Sequence, residues 1–442
     1  MKTRGHALFH LSTLWLICLG LVAIARAEPA APHAPPTLAG CPVLPAENIW
    51  NVPVDNLPLD PNSAAYVNTI GASAHVHADF GSGEWEGGPI GIPYLDVPGS
   101  QPKVNVTFDY DDESDHALYP IPANAPIEGG PNSDGDRHVL VLDRDACVLY
   151  ELFYAFPQAG GNWHAGSGAI FNLRSNALRQ ETWTSADAAG LPILPGLVRY
   201  AEVAAGEINH AIRFTAPETR RAYVWPARHY ASSRTGSQYP PMGQRFRLKA
   251  NYDISGFHPQ VQVILRAMKK YGIVLADNGS AWYISGAPHA QWDNDILHQL
   301  HNVPGSAFEA VNVSSLMVDP NSGQVIKSFT LNTLPAGQAI QPGSSARYYV
   351  TLTALGIFTD VVTLTAASPS PSLTLALTSL ALTPPGLITL TVTDTHPAGP
   401  LLPGVFYSIP ITATGGSVLR TTAVGLLVGG ARVYLPVILK NR

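Results

Sequence analysis

Thr and aliphatic residues alternate with period two through Tyr348-Tyr-Val-Thr-Leu-Thr353, Val361-Val-Thr-Leu-Thr365 and Leu387-Ile-Thr-Leu-Thr-Val-Thr393. Residues two apart share one face of a strand, so this spacing demands strands with one buried and one wet face. The runs recur between turn signals, which predicts a small β-sandwich over residues 326–430. The stretch has no Trp and few charges.

Residues 41–322 differ from it. They hold all seven tryptophans beyond residue 27: Trp50, Trp85, Trp163, Trp183, Trp225, Trp282 and Trp292. Gly and Pro number 39 each in the chain, so turns are frequent and long helices few. The expected fold class is mainly β: a β-rich main domain, sandwich or jelly-roll-like, with a few short helices. Strands are predicted at His138–Asp143 and Val148–Phe153 as a hairpin, and Ala211–Phe214 with Ala222–Trp225 as another. Ile273–Ala276 and Ala281–Ile284 flank Asp277-Asn-Gly-Ser280, a third hairpin signal. Helices are predicted at Pro259–Tyr271, opened by Pro and closed by Gly272, and at Asp293–His301.

The N-terminus carries Lys2 and Arg4, then the apolar run Leu11–Ala25, then Ala25-Arg26-Ala27. This is the pattern of a cleavable export signal over residues 1–27. Its apolar run of about 15 residues is shorter than the roughly 20 that span a bilayer. Residues 28–40 form a Pro/Ala-rich lead-in, and residues 431–442 an apolar tail, either a last strand or a surface-association signal. Of three cysteines, Cys18 lies in the signal, leaving Cys41 and Cys147 as a disulfide pair for an oxidising compartment. Residues 28–326 carry 17 Lys and Arg against 30 Asp and Glu. Such an acidic region disfavours nucleic acid and anionic membranes and accepts neutral or cationic ligands.

Several patterns could carry chemistry. His75, His77 and Asp79 alternate as strand ligands of a metal would, against the plainer reading of polar residues in a Gly-rich loop. Asp109–Asp115 and Asn132–Asp136 cluster oxygen donors that could take Ca²⁺; no cofactor is required otherwise. Asp136 and His138 are expected on one face of a strand, with Glu151 on the next and Trp163-His164 in the following turn. Paired carboxylates near imidazoles and an indole are what glycosidic-bond cleavage uses. The catalytic candidates are therefore Asp136, Glu151, His138 and His164; a buried hydrogen-bond network is the structural alternative. Trp163, Arg174, Trp225, Arg228, His229 and Asp277 are the ligand-binding candidates, with an Arg–Trp structural contact the alternative for Trp225 and Arg228.

Gly135-Asp-Arg-His-Val-Leu-Val-Leu-Asp143, Trp183-Thr-Ser-Ala-Asp-Ala-Ala-Gly-Leu-Pro-Ile-Leu-Pro-Gly-Leu-Val-Arg199 and Ala276-Asp-Asn-Gly-Ser-Ala-Trp-Tyr-Ile-Ser-Gly286 resemble a family of secreted microbial proteins over residues 41–318. The resemblance implies export and a domain boundary, and brings no catalytic residues. With its Gln341-Pro-Gly-Ser turn and Ala423–Val428 strand, the C-terminal stretch resembles the immunoglobulin-like accessory domains of secreted bacterial proteins. The expected function is a secreted or cell-surface carbohydrate-active enzyme, a glycoside hydrolase acting on an extracellular polysaccharide. The alternatives are a non-catalytic glycan-binding protein and a metal-dependent hydrolase. The partner is a polysaccharide or cell-surface glycan, with no nucleic acid and no membrane span after signal cleavage.

Overall fold

The computed structural model describes residues 34–430. The export signal, the first six residues of the lead-in and the apolar tail lie outside these residues. The end of the lead-in is ordered into the fold: Thr37–Leu38 pairs with Cys41–Pro42. The expected disulfide joins Cys41 to Cys147. Among the described residues no helix is long and apolar enough to cross a membrane.

The predicted hairpin forms. Val139–Asp143 pairs antiparallel with Val148–Phe153, which pairs with Ser167–Asn172, while Tyr94–Val97 adds to the other edge in parallel. The two hairpin strands separate two hydrophobic cores. Val139, Val141, Tyr150 and Leu152 pack into the smaller one. Leu140, Leu142 and Leu149 pack into the larger. Burial on both faces is why the sequence is a continuous apolar run here instead of an alternating one.

The largest sheet has six strands and is mixed. Across it run Phe308–Val311, Arg245–Leu248, Ile273–Asn278, Ile212–Ala216, Tyr283–Ser285 and His77–Asp79. Two sequence expectations change here. Ile273–Asn278 and Tyr283–Ser285 are not hydrogen-bonded to each other: Ile212–Ala216 lies between them, parallel to the first and antiparallel to the second. Ile212–Ala216 does not pair with residues 222–225; Tyr223 bridges Met242 instead. The parallel pair is connected through the helix Pro259–Lys270, which buries Val261, Val263, Ile264, Leu265, Ala267 and Met268. His258 caps its first turn and Lys269 and Lys270 lie in its last, favourable at a helix C-terminus. Gly272 then turns at φ +72, where a Cβ would lie 2.2 Å from the Phe246 carbonyl oxygen. Two short helices escaped the sequence pattern, Ser63–Ile70 and Tyr200–Ala205. Each buries three or fewer side chains, too few to set a period.

The C-terminal residues build two further sheets. Lys327–Leu334, Ser345–Gly356, Gly386–Asp394 and Leu373–Leu377 form one, and Gly337–Ile340, Val418–Val428, Val405–Gly415, Val362–Ala366 and Ala381–Leu382 the other. Tyr348, Val350 and Leu352 alternate inward to meet Ile409, Ile411, Val424 and Leu426 in a core of their own. The Tyr348 hydroxyl donates to the Gly425 carbonyl across it.

Candidate functional site

Seven separate stretches of chain wall a cavity of about 340 Å³. Tyr110 and Glu113 come from the acidic loop, and Asp136 precedes the strand Val139–Asp143. Phe153 and Ser167 flank that sheet's edge, and Thr184 to Ala188 come from one irregular stretch. His229, Ala231, Asp277 and Asn278 complete the lining.

The floor is a buried charge network. Arg213, in the middle of the six-stranded sheet, donates from Nε and Nη2 to the two Asp187 oxygens, both at 2.8 Å. Its Nη1 donates to Ser285 Oγ at 2.7 Å, and Nη2 lies 3.4 Å from Asp277 Oδ2. Asp187 is fully buried, and its loop is fixed by its own N–H donating to Ser185 Oγ. Burial, reinforced by Asp187 and resisted by Arg213, pushes the Asp277 carboxyl up to about 7. Beside this group Glu128 and His138 pair at 2.5 Å. Burial acts to strip the proton from His138, but the Glu128 carboxylate outweighs it and raises the imidazole to about 9. The other His138 nitrogen, Nε2, is 3.0 Å from the Ala186 carbonyl. His229 holds the Ala188 carbonyl through Nδ1 at 2.8 Å and turns Nε2 toward Glu113, 4.0 Å away. Its ring lies parallel to Tyr230, and Tyr230 faces Tyr223 in turn.

Three sequence candidates, Asp136, His229 and Asp277, thus meet on one cavity, and His138 lies in the network behind it. Asp136 and His138 do not share a strand face, because Arg137 adopts φ +52. Its guanidinium anchors that turn on the Pro131, Ser133 and Ala155 carbonyls. The turn releases Asp136 to the cavity and sends His138 inward.

Glu151 is elsewhere. It is fully buried on the face of Leu140, where it accepts from the Ile193 and Leu194 backbone N–H groups. Burial pushes it up to about 7 against those two hydrogen bonds. It therefore satisfies backbone donors and does not line the cavity. A carboxyl raised above its unfolded value binds more protons folded than unfolded between about pH 4.5 and 7, so its contribution to stability declines as pH rises through that window. Glu151→Gln keeps an acceptor oxygen and removes the titration. The variant is expected to be more stable than wild type at pH 8 by up to about 3 kcal/mol, one pKa unit being about 1.4 kcal/mol, and equal to it near pH 4. Thermal midpoints across pH 4–8 check this; parallel curves would contradict it.

The remaining candidates do not line this cavity. Trp163 is buried in the smaller core. His164 Nε2 is 3.1 Å from Asp109 on the surface. Arg174 donates to the Ala146 carbonyl. Trp225 donates to the Ser322 carbonyl, and Arg228 clamps Arg179, Pro320 and Asn321. The acidic loop is distributed among separate partners: Asp109 on His164, Asp115 on Arg179 and Glu113 on the Thr184 N–H. Among the described residues no three His, Cys, Asp or Glu side chains are grouped as a metal ion needs. No such group includes His75, His77 and Asp79, or the oxygen donors of Asp109–Asp115 and Asn132–Asp136. His77 Nδ1 instead lies 2.7 Å from His301 Nε2, and His75 Nδ1 contacts the His301 carbonyl. Asp79 interacts with Glu128, Arg213 and Asp136 as well as with His77.

Asp187 and Glu128 were not singled out from sequence, and Glu113 was read only as one carboxylate of the Asp109–Asp115 cluster. The one available signal was Asp187's place in the Trp183–Arg199 run.

No family model and no curated protein matches the chain. Among solved structures, domains 4 and 5 of the S-layer protein SbsC align at 19% identity and a TM-score of 0.18, covering 24% of this chain and 54% of that one. The BIgI domain of the β protein from S. agalactiae, bound to CEACAM1, aligns at 11% identity and a TM-score of 0.17, covering 24% of this chain and all of that one. The E. coli chaperone DraB aligns at 17% identity and a TM-score of 0.17, covering 23% and 56%. The chain spans about half the length of the first of these. At such scores none bears on activity.

Proposed function

We propose that this is a secreted or cell-surface glycan-binding protein that holds a short saccharide in the cavity between Asp136, Asp187, His229 and Asp277. One observation carries the reading: a cavity of about 340 Å³ combines carboxylates with the rings of Tyr110, Phe153 and His229. Sugar hydroxyls donate to carboxylates, and the apolar face of a sugar ring lies on an aromatic ring. Ligand sites begin at roughly 300 Å³, so the volume suits one or two sugar residues. The export signal and the acidic surface agree with an extracellular, uncharged or cationic partner.

Calorimetric titration with a panel of mono- to tetrasaccharides tests the reading. Asp136 is exposed and has no side-chain partner among the described residues. Asp136→Asn is expected to weaken binding about 10-fold or more while leaving the thermal midpoint unchanged. Binding by wild type and variant alike, or by neither, would overturn the assignment to this cavity.

One observation favours a second reading, hydrolysis of the bound glycan. Asp277, pushed up to about 7, shares the cavity with a second carboxyl group, Asp136, and a proton donor beside a carboxylate is what glycoside cleavage requires. In this reading Asp277 replaces Glu151 as the partner of Asp136. Release of reducing sugar by wild type but not by Asp277→Asn would establish it.

A further inference from the structure

The cavity's charge is out of balance. Four carboxyl groups line it: Glu113, Asp136, Asp187 and Asp277. One guanidinium, Arg213, faces them from the sheet, and both Asp187 oxygens consume its best hydrogen bonds. His138 is the other cation behind the wall, and Glu128 neutralises it. Arg179, at the base of the acidic loop, is taken by Asp115. His229 turns one nitrogen to Glu113, at 4.0 Å. That leaves Asp136 without a side-chain hydrogen bond or ion pair among the described residues, and Asp277 with the Asn278 N–H at 2.7 Å and only a long contact to its counter-charge Arg213, at 3.4 Å. Carboxyl groups arranged this way repel an anionic ligand and attract a cation.

The missing charge is unlike a metal ion's. The acidic side chains are spread over separate walls, and no three of them converge on a point among the described residues. A cation that answers dispersed carboxylates across about 340 Å³ is an organic one, large enough for its charge to meet one wall while its hydroxyls reach the others. The rings of Tyr110 and Phe153 on the same cavity give its ring an apolar surface, and aromatic faces favour ammonium groups.

We infer that the cavity selects a saccharide bearing a free amine, a glucosamine-type residue, with its ammonium group between Asp136 and Asp277. This rests on the glycan-binding reading and narrows it to a ligand class. It also predicts proton release. Asp277 stands near half-protonation at neutral pH, and Asp187, Arg213, Asp136 and His138 are the charges that act on it. An arriving ammonium favours its ionised form, so binding near pH 5, where the free amine is already protonated, expels a proton from the Asp277 carboxyl to the buffer.

The experiment titrates the full secreted chain with three tetrasaccharides, of β-1,4-glucosamine, β-1,4-N-acetylglucosamine and α-1,4-galacturonate. It is run at pH 5 in two buffers of different ionisation enthalpy. The glucosamine tetramer is expected to bind at least about 10-fold tighter than the acetylated one and to release a fraction of a proton, and the galacturonate not to bind. Asp277→Asn is expected to abolish the proton release, and Asp136→Asn, at an exposed site, to erase the preference for the amine. If the acetylated tetramer binds as tightly as the free amine, the amine inference fails while glycan binding stands. If none of the three binds, and no other sugar of the panel does, the glycan reading itself fails.

Discussion

Arg213→Met is expected to destabilise the protein by about 3–5 kcal/mol. The guanidinium is buried, and its two bonds at 2.8 Å are, among the described residues, the only hydrogen bonds made by the Asp187 carboxylate. Removing one partner of a buried ion pair leaves an uncompensated charge, which costs far more than the pair contributes. Ser285 Oγ and Asp277 lose a neighbour in the same step. Met fills much of the volume, so the loss is electrostatic. The compensating test is Arg213→Met with Asp187→Leu, since a buried pair replaced by apolar groups is often neutral. The double variant is expected to recover at least half the loss. The pH dependence follows from Asp277. Its folded value lies above its unfolded one, so its penalty is absent at acid pH, grows as pH rises, and levels off once pH passes the folded value near 7. Without Arg213 that value moves higher, and the penalty goes on growing where wild type has levelled off. The gap between wild type and Arg213→Met should therefore widen above pH 7. Urea unfolding at pH 6, 7 and 8.5 reads both effects. A single variant within 1 kcal/mol of wild type would refute the account of Arg213 as the counter-charge of the floor.

What was legible in the sequence was local. The hairpin Val139–Asp143 and Val148–Phe153 announced itself because its strands are apolar on both faces and joined by a short turn. The helix Pro259–Lys270 carried its own cap, period and stop. The Thr-rich alternation after residue 326 needs no distant partner to be read as strands. The Asn-Gly turn after Asp277 misled for the same reason. It is a local hairpin signal, and nothing nearby reveals that Ile212–Ala216, some 60 residues upstream, inserts between the two arms.

The cavity is a product of such insertions. Asp136, Asp187, His229 and Asp277 are separated by 40 or more residues each, so no spacing pattern could join them. Glu151 shows the converse. A carboxyl between aromatic and aliphatic neighbours on a strand looks like a catalytic group, and only the path of Ile193 and Leu194 past it reveals a carboxyl engaged by backbone N–H groups. Arg137 made the difference at Asp136: one residue in the left-handed region overrode the alternation that would have set Asp136 beside His138.

The Cys41–Cys147 bridge offers the other large effect. Its partners are 106 residues apart, and the loop so closed restricts the unfolded chain. In the chain-entropy model a loop of this size contributes about 5 kcal/mol. The folded state has reason to retain the contact. Both cysteines are buried in the larger core. The bridge staples the segment leading to Asn48, Ile49 and Trp50 onto the turn before Val148–Phe153, the strand that carries Glu151 and ends at Phe153 on the cavity. The same segment is held at its far end by Arg245, which donates to the Ile49 carbonyl. Replacing both cysteines by Ser is thus expected to cost up to about 5 kcal/mol and to steepen the urea dependence, because an uncrosslinked unfolded chain exposes more surface. Reductant alone should leave the native protein oxidised, since the sulfurs are shielded from solvent, and should act only with added denaturant. Free-thiol titration with and without urea, beside unfolding curves of the double variant, measures each part. A double variant as stable as wild type, or rapid reduction of the native protein, would show that the bridge neither restrains the chain nor lies inside the core.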